Sequence, residues 1–184
     1  MHSSSMEQKA PVFSAANLCY AAVLTALVFI LTFVPRIPIP LGYAHLGDAV
    51  IFASVLFSWR RQAAVAASIG SALSDLIGGF PIWIVPTLII KFVMVEAVFL
   101  VVRPDKGPWK LTSLKVFLGF LLSAVWMVVS YTAAGGFLYG SLEAGLTMVP
   151  GLIGEGIVNM AAAYAIAACF MRVPFRGYGY NLKR

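Results

Sequence analysis

The sequence predicts an all-α integral membrane protein, a compact bundle of six transmembrane helices with both termini cytoplasmic. Three observations carry this expectation. Hydrophobic residues make up 61% of the 184 residues and charged ones only 11%, against roughly 25% charged in an ordinary soluble domain. A soluble fold of this size could not hide so much apolar surface, so lipid must cover much of it. The apolar residues also gather into six segments. Finally, the basic residues fall almost entirely on one side of the alternation that those segments create.

Residues Met1 to Pro11 form a polar tail without a cleavable signal pattern, and the second methionine, Met6, leaves Met1–Ser5 open as an appended stretch or an alternative start. The membrane domain is expected over residues 12–172, followed by a basic tail over 173–184. The first apolar segment, Val12 to Val34, carries no charge and is long enough to span ~30 Å. A Pro-rich connection follows, Pro35-Arg36-Ile37-Pro38-Ile39-Pro40. The second segment, Leu46 to Trp59, reaches only ~21 Å as a helix. The loop from Pro35 to Gly47 is therefore expected to dip into the protein and act as a lid, since non-helical backbone at membrane depth must be buried or line a cavity.

The third segment, Gln62 to Leu76, is dense in alanine, glycine and serine. The fourth runs from Ile82 to Val102, the fifth from Leu111 to Leu138, and the sixth from Ala144 to Met171. Pro86 and Pro150 predict a kink or a widened cavity near one end of their helices. The two cysteines, Cys19 and Cys169, lie in apolar segments near opposite ends of the chain and read as buried, inert thiols.

Even-numbered connections and both termini hold Lys9, Arg60, Arg61, Arg103, Lys106, Lys110, Lys115, Arg172, Arg176, Lys183 and Arg184, whereas the opposite side has only Arg36. By the positive-inside rule both ends are cytoplasmic. The net charge of +6 is thus a topology signal and not a nucleic-acid patch. The Pro- and Gly-rich connections at Pro35–Gly47, Gly78–Pro81 and Tyr139–Glu143 then face outward.

Polar residues inside the apolar segments cluster toward that outer side. Each ionisable one costs on the order of 3 kcal/mol or more in a bilayer, so it faces a cavity or a partner. His45 and Asp48 head the second segment, Asp75 ends the third, and Trp83 stands at the turn as an interfacial aromatic anchor and a candidate ligand contact. Lys91 and Glu155 lie deeper, at similar depth. They either pair with each other or line a cavity that a polar ligand opens. Glu155 and Asn159, spaced i, i+4, share a helix face and offer carboxylate and amide groups suited to the edge of a nitrogen heterocycle. Asp48 is read first as a helix cap. His45 is a ligand contact within the lid or a lid residue alone, and Asp75 tethers a loop or touches the ligand. Trp126, Tyr131 and Tyr139 are interfacial or stack on an aromatic ligand, while Glu96 anchors a helix contact nearer the cytoplasm.

No catalytic constellation is present in the sequence. A Gly-rich phosphate loop, a His-Glu-x-x-His pair, a Cys-x-x-Cys pair and a Gly-x-Ser-x-Gly elbow are absent, and His45 is the sole histidine outside the N-terminal tail. No cofactor or metal is expected. A stand-alone channel or secondary carrier would show inverted repeats with broken helices in both halves, which the sequence lacks. Ala15, Ala22 and Ala26 lay a small-residue stripe along the first segment, for a partner helix or for packing within the bundle.

Two stretches carry a resemblance: Tyr43-Ala-His-Leu-Gly-Asp-Ala-Val-Ile-Phe52 after the Pro-rich loop, and Gly70-Ser-Ala-Leu-Ser-Asp-Leu-Ile-Gly-Gly79 followed by Trp83 and Pro86-Thr-Leu-Ile-Ile-Lys91. With the six segments and the alanine stripe, the chain resembles the S component, the substrate-binding membrane subunit, of energy-coupling factor (ECF) vitamin transporters. Within these it looks like the hydroxymethylpyrimidine and pyridoxine group. The resemblance implies a binder that captures a small vitamin from outside. It also implies a transmembrane coupling subunit that engages Ala22 and Ala26, two cytoplasmic ATPase subunits, and toppling in the bilayer to release cargo. It maps the ligand site to His45, Lys91, Trp126 or Tyr131, Glu155 and Asn159.

Overall fold

The computed structural model describes residues 15–106 and 109–172. The two tails lie outside the described residues, with Lys9, Arg176, Lys183 and Arg184. The first helix, α1 (Ala15–Phe33), buries only Leu24, Val28 and Thr32. That i, i+4, i+8 stripe packs inward and leaves the remaining apolar surface facing out, as a lipid-facing helix requires. Cys19 and Cys169 are both exposed, so the expectation of buried thiols is wrong: each sits on an outward helix face.

After Pro35 the chain does not dip irregularly but pairs with itself. β1 (Ile37–Ile39) and β2 (Gly42–Ala44) form an antiparallel hairpin in the register Ile37↔Ala44, Pro38↔Tyr43 and Ile39↔Gly42. The tip turns through Leu41, a non-glycine residue at φ 61°. The following helix, α2 (Gly47–Phe57), has 11 residues, and all from Gly47 to Leu56 are buried. It is short because it is the centre of the bundle rather than part of its lipid-facing wall. It touches α1, α3 (Arg60–Gly78), α4 (Ile84–Val102) and α7 (Val149–Arg172).

The small residues of α3 explain how close the helices come. A Cβ on Gly70 would lie 2.7 Å from the Thr25 carbonyl oxygen of α1, so only glycine allows this approach. The helix ends at Gly79, whose φ of 86° is a left-handed cap that glycine adopts without steric cost. A single 3₁₀ turn, Pro81–Trp83, leads into α4. Pro86 falls in the first turn of α4 and Pro150 in the first turn of α7. There a missing N–H costs nothing, so both prolines start helices instead of kinking them.

Ser113 caps α5 (Leu114–Leu138) by accepting from the Val116 amide. The expected sixth segment is split. A five-residue helix, α6 (Leu142–Leu146), capped by Ser141, folds back on the end of α5 before α7 begins. Packing runs α1 on α3, α3 on α4, α4 on α5 and α5 on α7, with α2 joining α7 back to α1. Phe52 stacks on Phe120 at 5.1 Å in the centre, among Val55, Leu56, Met94, Val98 and Met127.

Four stretches are long and apolar enough to cross a membrane: Ala15–Phe33, Pro81–Val102, Leu114–Leu138 and Leu142–Arg172. The protein is an all-α membrane protein on these grounds. α2 and α3 are not among the four: one is short, and the other is rich in alanine and serine and carries Arg60, Arg61 and Asp75. The hairpin, the 3₁₀ turn and α6 gather at one end of the bundle. At the other, Arg60 pairs with Glu96, giving Glu96 the helix contact expected of it.

Candidate functional site

A cavity of about 40 Å³ opens at the hairpin end. The hairpin contributes Ile39, Gly42 and Tyr43, followed by His45; α3 contributes Asp75, and Phe80 and Trp83 come from the start and end of the 3₁₀ turn. Thr87 of α4, Tyr131 of α5, and Met148, Leu152 and Glu155 at and within α7 close the wall. Tyr43 lies within β2 and His45 just past its end.

Tyr43 ties the hairpin down. Its hydroxyl donates to Asp75 Oδ1 at 2.8 Å and lies 3.1 Å from Ser74 Oγ. Burial, then the Asp75 charge beside it, push this hydroxyl up to about 12. The Tyr43 ring meets Phe80 at 5.2 Å and His45 at 5.8 Å. Arg36 braces the hairpin from outside. Its guanidinium lies 4.2 Å from the Phe33 ring centroid and 4.4 Å from that of Tyr43, and it donates to the Ser74 carbonyl at 3.0 Å. A cation at the C-terminal end of α3 also meets the negative end of the helix dipole. Asp75 thus tethers the loop, one of its two expected roles, and also lines the cavity.

On the opposite wall, His45 Nδ1 stands 3.1 Å from Glu155 Oε1 and accepts from the Gly47 amide at 3.2 Å. Both side chains are buried.

Beneath lies a second polar group. Lys91 Nζ donates to Asp48 Oδ1 at 2.5 Å, with both side chains essentially inaccessible, and stands 5.2 Å from the Tyr131 ring centroid. The expected Lys91–Glu155 pair is therefore replaced by two others, Lys91–Asp48 and His45–Glu155. Asp48 makes no side-chain cap for α2. The cap comes from 110 residues away: Asn159 Oδ1 accepts from the Ala49 amide at 2.7 Å, while its Nδ2 donates to the His45 carbonyl at 2.7 Å and the Glu155 carbonyl at 2.9 Å. Asn159 is occupied in holding three chain segments together, and neither it nor Lys91 lines the cavity.

Trp126 points away. Its indole donates to the Ile90 carbonyl at 3.2 Å while the residue stays 36% exposed on the bundle surface. Tyr131 does line the cavity and donates to Thr87 Oγ1 at 3.1 Å. Trp83 is not an interfacial anchor: only 4% of it is exposed, because the end of α5 covers it, and its ring lies 5.6 Å from Tyr131 and 6.3 Å from Tyr139. Sequence reasoning missed Tyr43, Phe80, Thr87, Met148 and Leu152. One of them carried a signal, Thr87 through its i, i+4 spacing to Lys91.

His45, Asp48 and Glu155 bring one donor atom each within 4.8 Å of one another, the spacing of a metal site. The Lys91 ammonium already provides the cation at Asp48. A divalent ion there would meet a positive charge at bonding distance, so this trio does not fit a resident metal.

A protein of Pyrococcus woesei, described as an uncharacterised protein in a gap 3′ region, is 35% identical over 115 residues, covering 61% of this chain and 74% of its own length. Residues 12–173 match the family described as "ECF-type riboflavin transporter, S component". With that match spanning the whole bundle and both walls of the cavity, the chain belongs to this family of S components.

Proposed function

We propose that this S component captures a small, planar, water-soluble vitamin or vitamin precursor from outside, with hydroxymethylpyrimidine, the thiamine precursor, as the first choice. Family membership makes the chain a substrate-specific transporter subunit and not an enzyme. The observation that carries the ligand reading is the cavity under the hairpin, where Tyr43, Phe80, Trp83 and Tyr131 present ring faces and Asp75 and Glu155 present carboxyl groups. Aromatic walls with a few convergent polar groups suit a flat heterocycle. At about 40 Å³ the cavity holds a few waters at ~10–15 Å³ each, so capture requires the hairpin to lift and reclose around the ligand.

In this reading the chain crosses the membrane six times with both ends cytoplasmic, α2 and α3 completing the count inside the bundle. The Arg60, Arg61, Arg103, Lys106 and Lys110 end faces the cytoplasm and the hairpin faces out. A transmembrane coupling subunit docks on α1, where Ala15, Ala22 and Ala26 are all exposed, and two ATPase subunits drive release of cargo inside. Riboflavin is the second reading, favoured by the printed description of the family. It demands a wider opening, because its ring system is tricyclic.

A calorimetry and thermal-shift panel on the purified chain tests this, using hydroxymethylpyrimidine, pyridoxine, pyridoxal, thiamine and riboflavin. One ligand that stabilises the protein at nanomolar concentration is expected, and Glu155→Ala should weaken its binding about tenfold by removing a buried polar partner. No stabilisation by any of them, or uptake driven by this chain alone on an ion gradient, would overturn the proposal.

A further inference from the structure

The hairpin is held differently at its root, on its α3 side and at its tip. The root is pinned: the Leu46 amide donates to the Leu31 carbonyl at 3.1 Å, and Asn159 Nδ2 donates to the His45 carbonyl at 2.7 Å. The α3 side is latched by polar contacts. Arg36 donates to the Ser74 carbonyl at 3.0 Å and lies over the Phe33 and Tyr43 rings, while the Tyr43 hydroxyl donates to Asp75 Oδ1 at 2.8 Å. Gly78 leaves room for this latch, since a Cβ there would collide with the guanidinium. Charge-assisted bonds and cation–π contacts are directional, and parting them strands buried polar atoms.

The tip meets α7 in another way. Ile39 sits in the notch that Gly151 leaves: a Cβ on Gly151 would lie 2.6 Å from Ile39 Cγ2 and 3.0 Å from Ile39 Cβ. Beside it Gly42 faces Met148, whose Cε would stand 4.0 Å from a Cβ on that glycine. Ile39, Gly42, Met148 and Leu152 also line the cavity, so this seam is part of its wall. Among the described residues no hydrogen bond joins residues 38–42 to Met148 or α7. Pro38 and Pro40 have no N–H to offer. An apolar contact can part and re-form without leaving a polar atom unpaired.

We infer that the hairpin tip swings away from α7 about its α3 side, so that the cavity opens between Ile39 and Gly151 while the Arg36 latch stays closed. The inference rests on the capture reading above and names the seam through which that cargo passes.

Two covalent bridges test the direction of opening, each in the purified full-length chain with Cys19→Ser and Cys169→Ser in the background. Ile39→Cys with Gly151→Cys places two Cβ atoms 3.0 Å apart and removes the Cγ2 that would clash. A small shift of the tip then reaches the ~3.5–4.5 Å of a disulfide. Arg36→Cys with Gly78→Cys, joined by a short bis-methanethiosulfonate, ties the latch instead. Tritiated hydroxymethylpyrimidine and riboflavin serve as probes. Oxidising the seam pair with copper–phenanthroline should slow probe entry into empty protein, and release from loaded protein, at least tenfold, and reduction should restore both rates. The latch bridge should leave both rates as they are in the reduced form. Comparing bridged and reduced forms of one variant cancels the effect of the substitutions themselves. Unchanged rates in the oxidised seam pair, cysteines there that fail to join, or a latch bridge that blocks entry would each overturn the inference and leave capture standing. Binding of no vitamin in the panel, by the wild-type chain or the reduced variants, would remove the capture reading and this inference with it.

Discussion

Two polar clusters share the interior of this bundle, and they differ in where they stand relative to the cavity. At the head of α2, Asp48 binds Lys91, and Asn159 satisfies the Ala49 amide and the His45 and Glu155 carbonyls. One Asp48 oxygen, Oδ2, is the exception. A few residues away, the cavity wall leaves an Asp75 oxygen and the Trp83 indole N–H without partners. Charge alone does not separate structure from site here, because both clusters are charged and buried. What separates them is position: Asp48, Lys91 and Asn159 stand off the cavity wall and hold the helices, whereas Asp75, Trp83 and Glu155 line it.

The sharpest way to break this comparison is to treat the cluster at the head of α2 as a site. Lys91→Ala leaves the Asp48 carboxylate buried without its cation, which costs about 3–5 kcal/mol when a buried pair is halved. A large drop in the unfolding midpoint of the purified protein is expected, with binding lost only as folding is lost. The double variant Lys91→Met with Asp48→Leu should regain most of that stability, since an apolar pair of similar volume escapes the desolvation penalty. A Lys91→Ala protein of normal stability that no longer binds ligand would move Lys91 into the site.

Asn159→Ala is the next largest. It removes one bond each from the Ala49 amide and the His45 and Glu155 carbonyls. Ala49 keeps the Leu46 carbonyl at 3.2 Å and Glu155 its helical bond, so the loss falls chiefly on the His45 carbonyl, about 1–3 kcal/mol when left buried. Because one of those carbonyls belongs to His45, the hairpin loses an anchor along with the helix. Faster proteolysis within residues 35–46, together with a lowered unfolding midpoint, is the expected result. A Leu substitution at Asn159 that cost nothing would show the cap to be dispensable.

How far this was legible beforehand differs between the same two regions. Helices α1, α4 and α5 follow from long apolar runs, and their boundaries fall near Pro, Gly and Ser signals. That Asp75, Trp83, Tyr131, Glu155 and His45 gather toward one end was also readable from depth along each segment, and all five line the cavity. The pairings were not. Lys91 could reach Asp48 or Glu155 by depth, and choosing between them needs the rotation of each helix, which the nearly uniform hydrophobicity of α4 does not encode. The burial of Trp83 depends on Tyr131, Gly135 and Tyr139 meeting its ring, and α6 folds back on α5 because Gly145 lets its backbone approach Thr132 and Gly136. Such close approaches are set by two distant segments together, so neither segment announces them alone.

A smaller effect sharpens the comparison at the hairpin. The Tyr43 hydroxyl, ordinarily near 10, is raised to about 12 in the folded protein. Above pH 10 the unfolded chain gives up this proton while the folded chain keeps it. The contribution is therefore fully present below pH 10 and is lost as pH rises through about 12. Tyr43→Phe should be less stable than wild type at pH 8, with a gap that narrows between pH 10 and pH 12. A gap that widens with pH would mean that the hydroxyl is already ionised against Asp75.

The smallest effect on the isolated protein belongs to α1, whose alanine face touches neither cluster. Ala22→Leu with Ala26→Leu adds bulk to exposed positions, so stability and ligand affinity of the purified chain should stay unchanged. Under the proposed assembly, those side chains would hold a partner helix away from a surface that small residues keep flat. Co-purification with a transmembrane coupling subunit should then fall sharply while vitamin binding persists. Binding lost with assembly intact would mean that α1 shapes the cavity through its contacts with α2 and α3, and that the partner docks on another face.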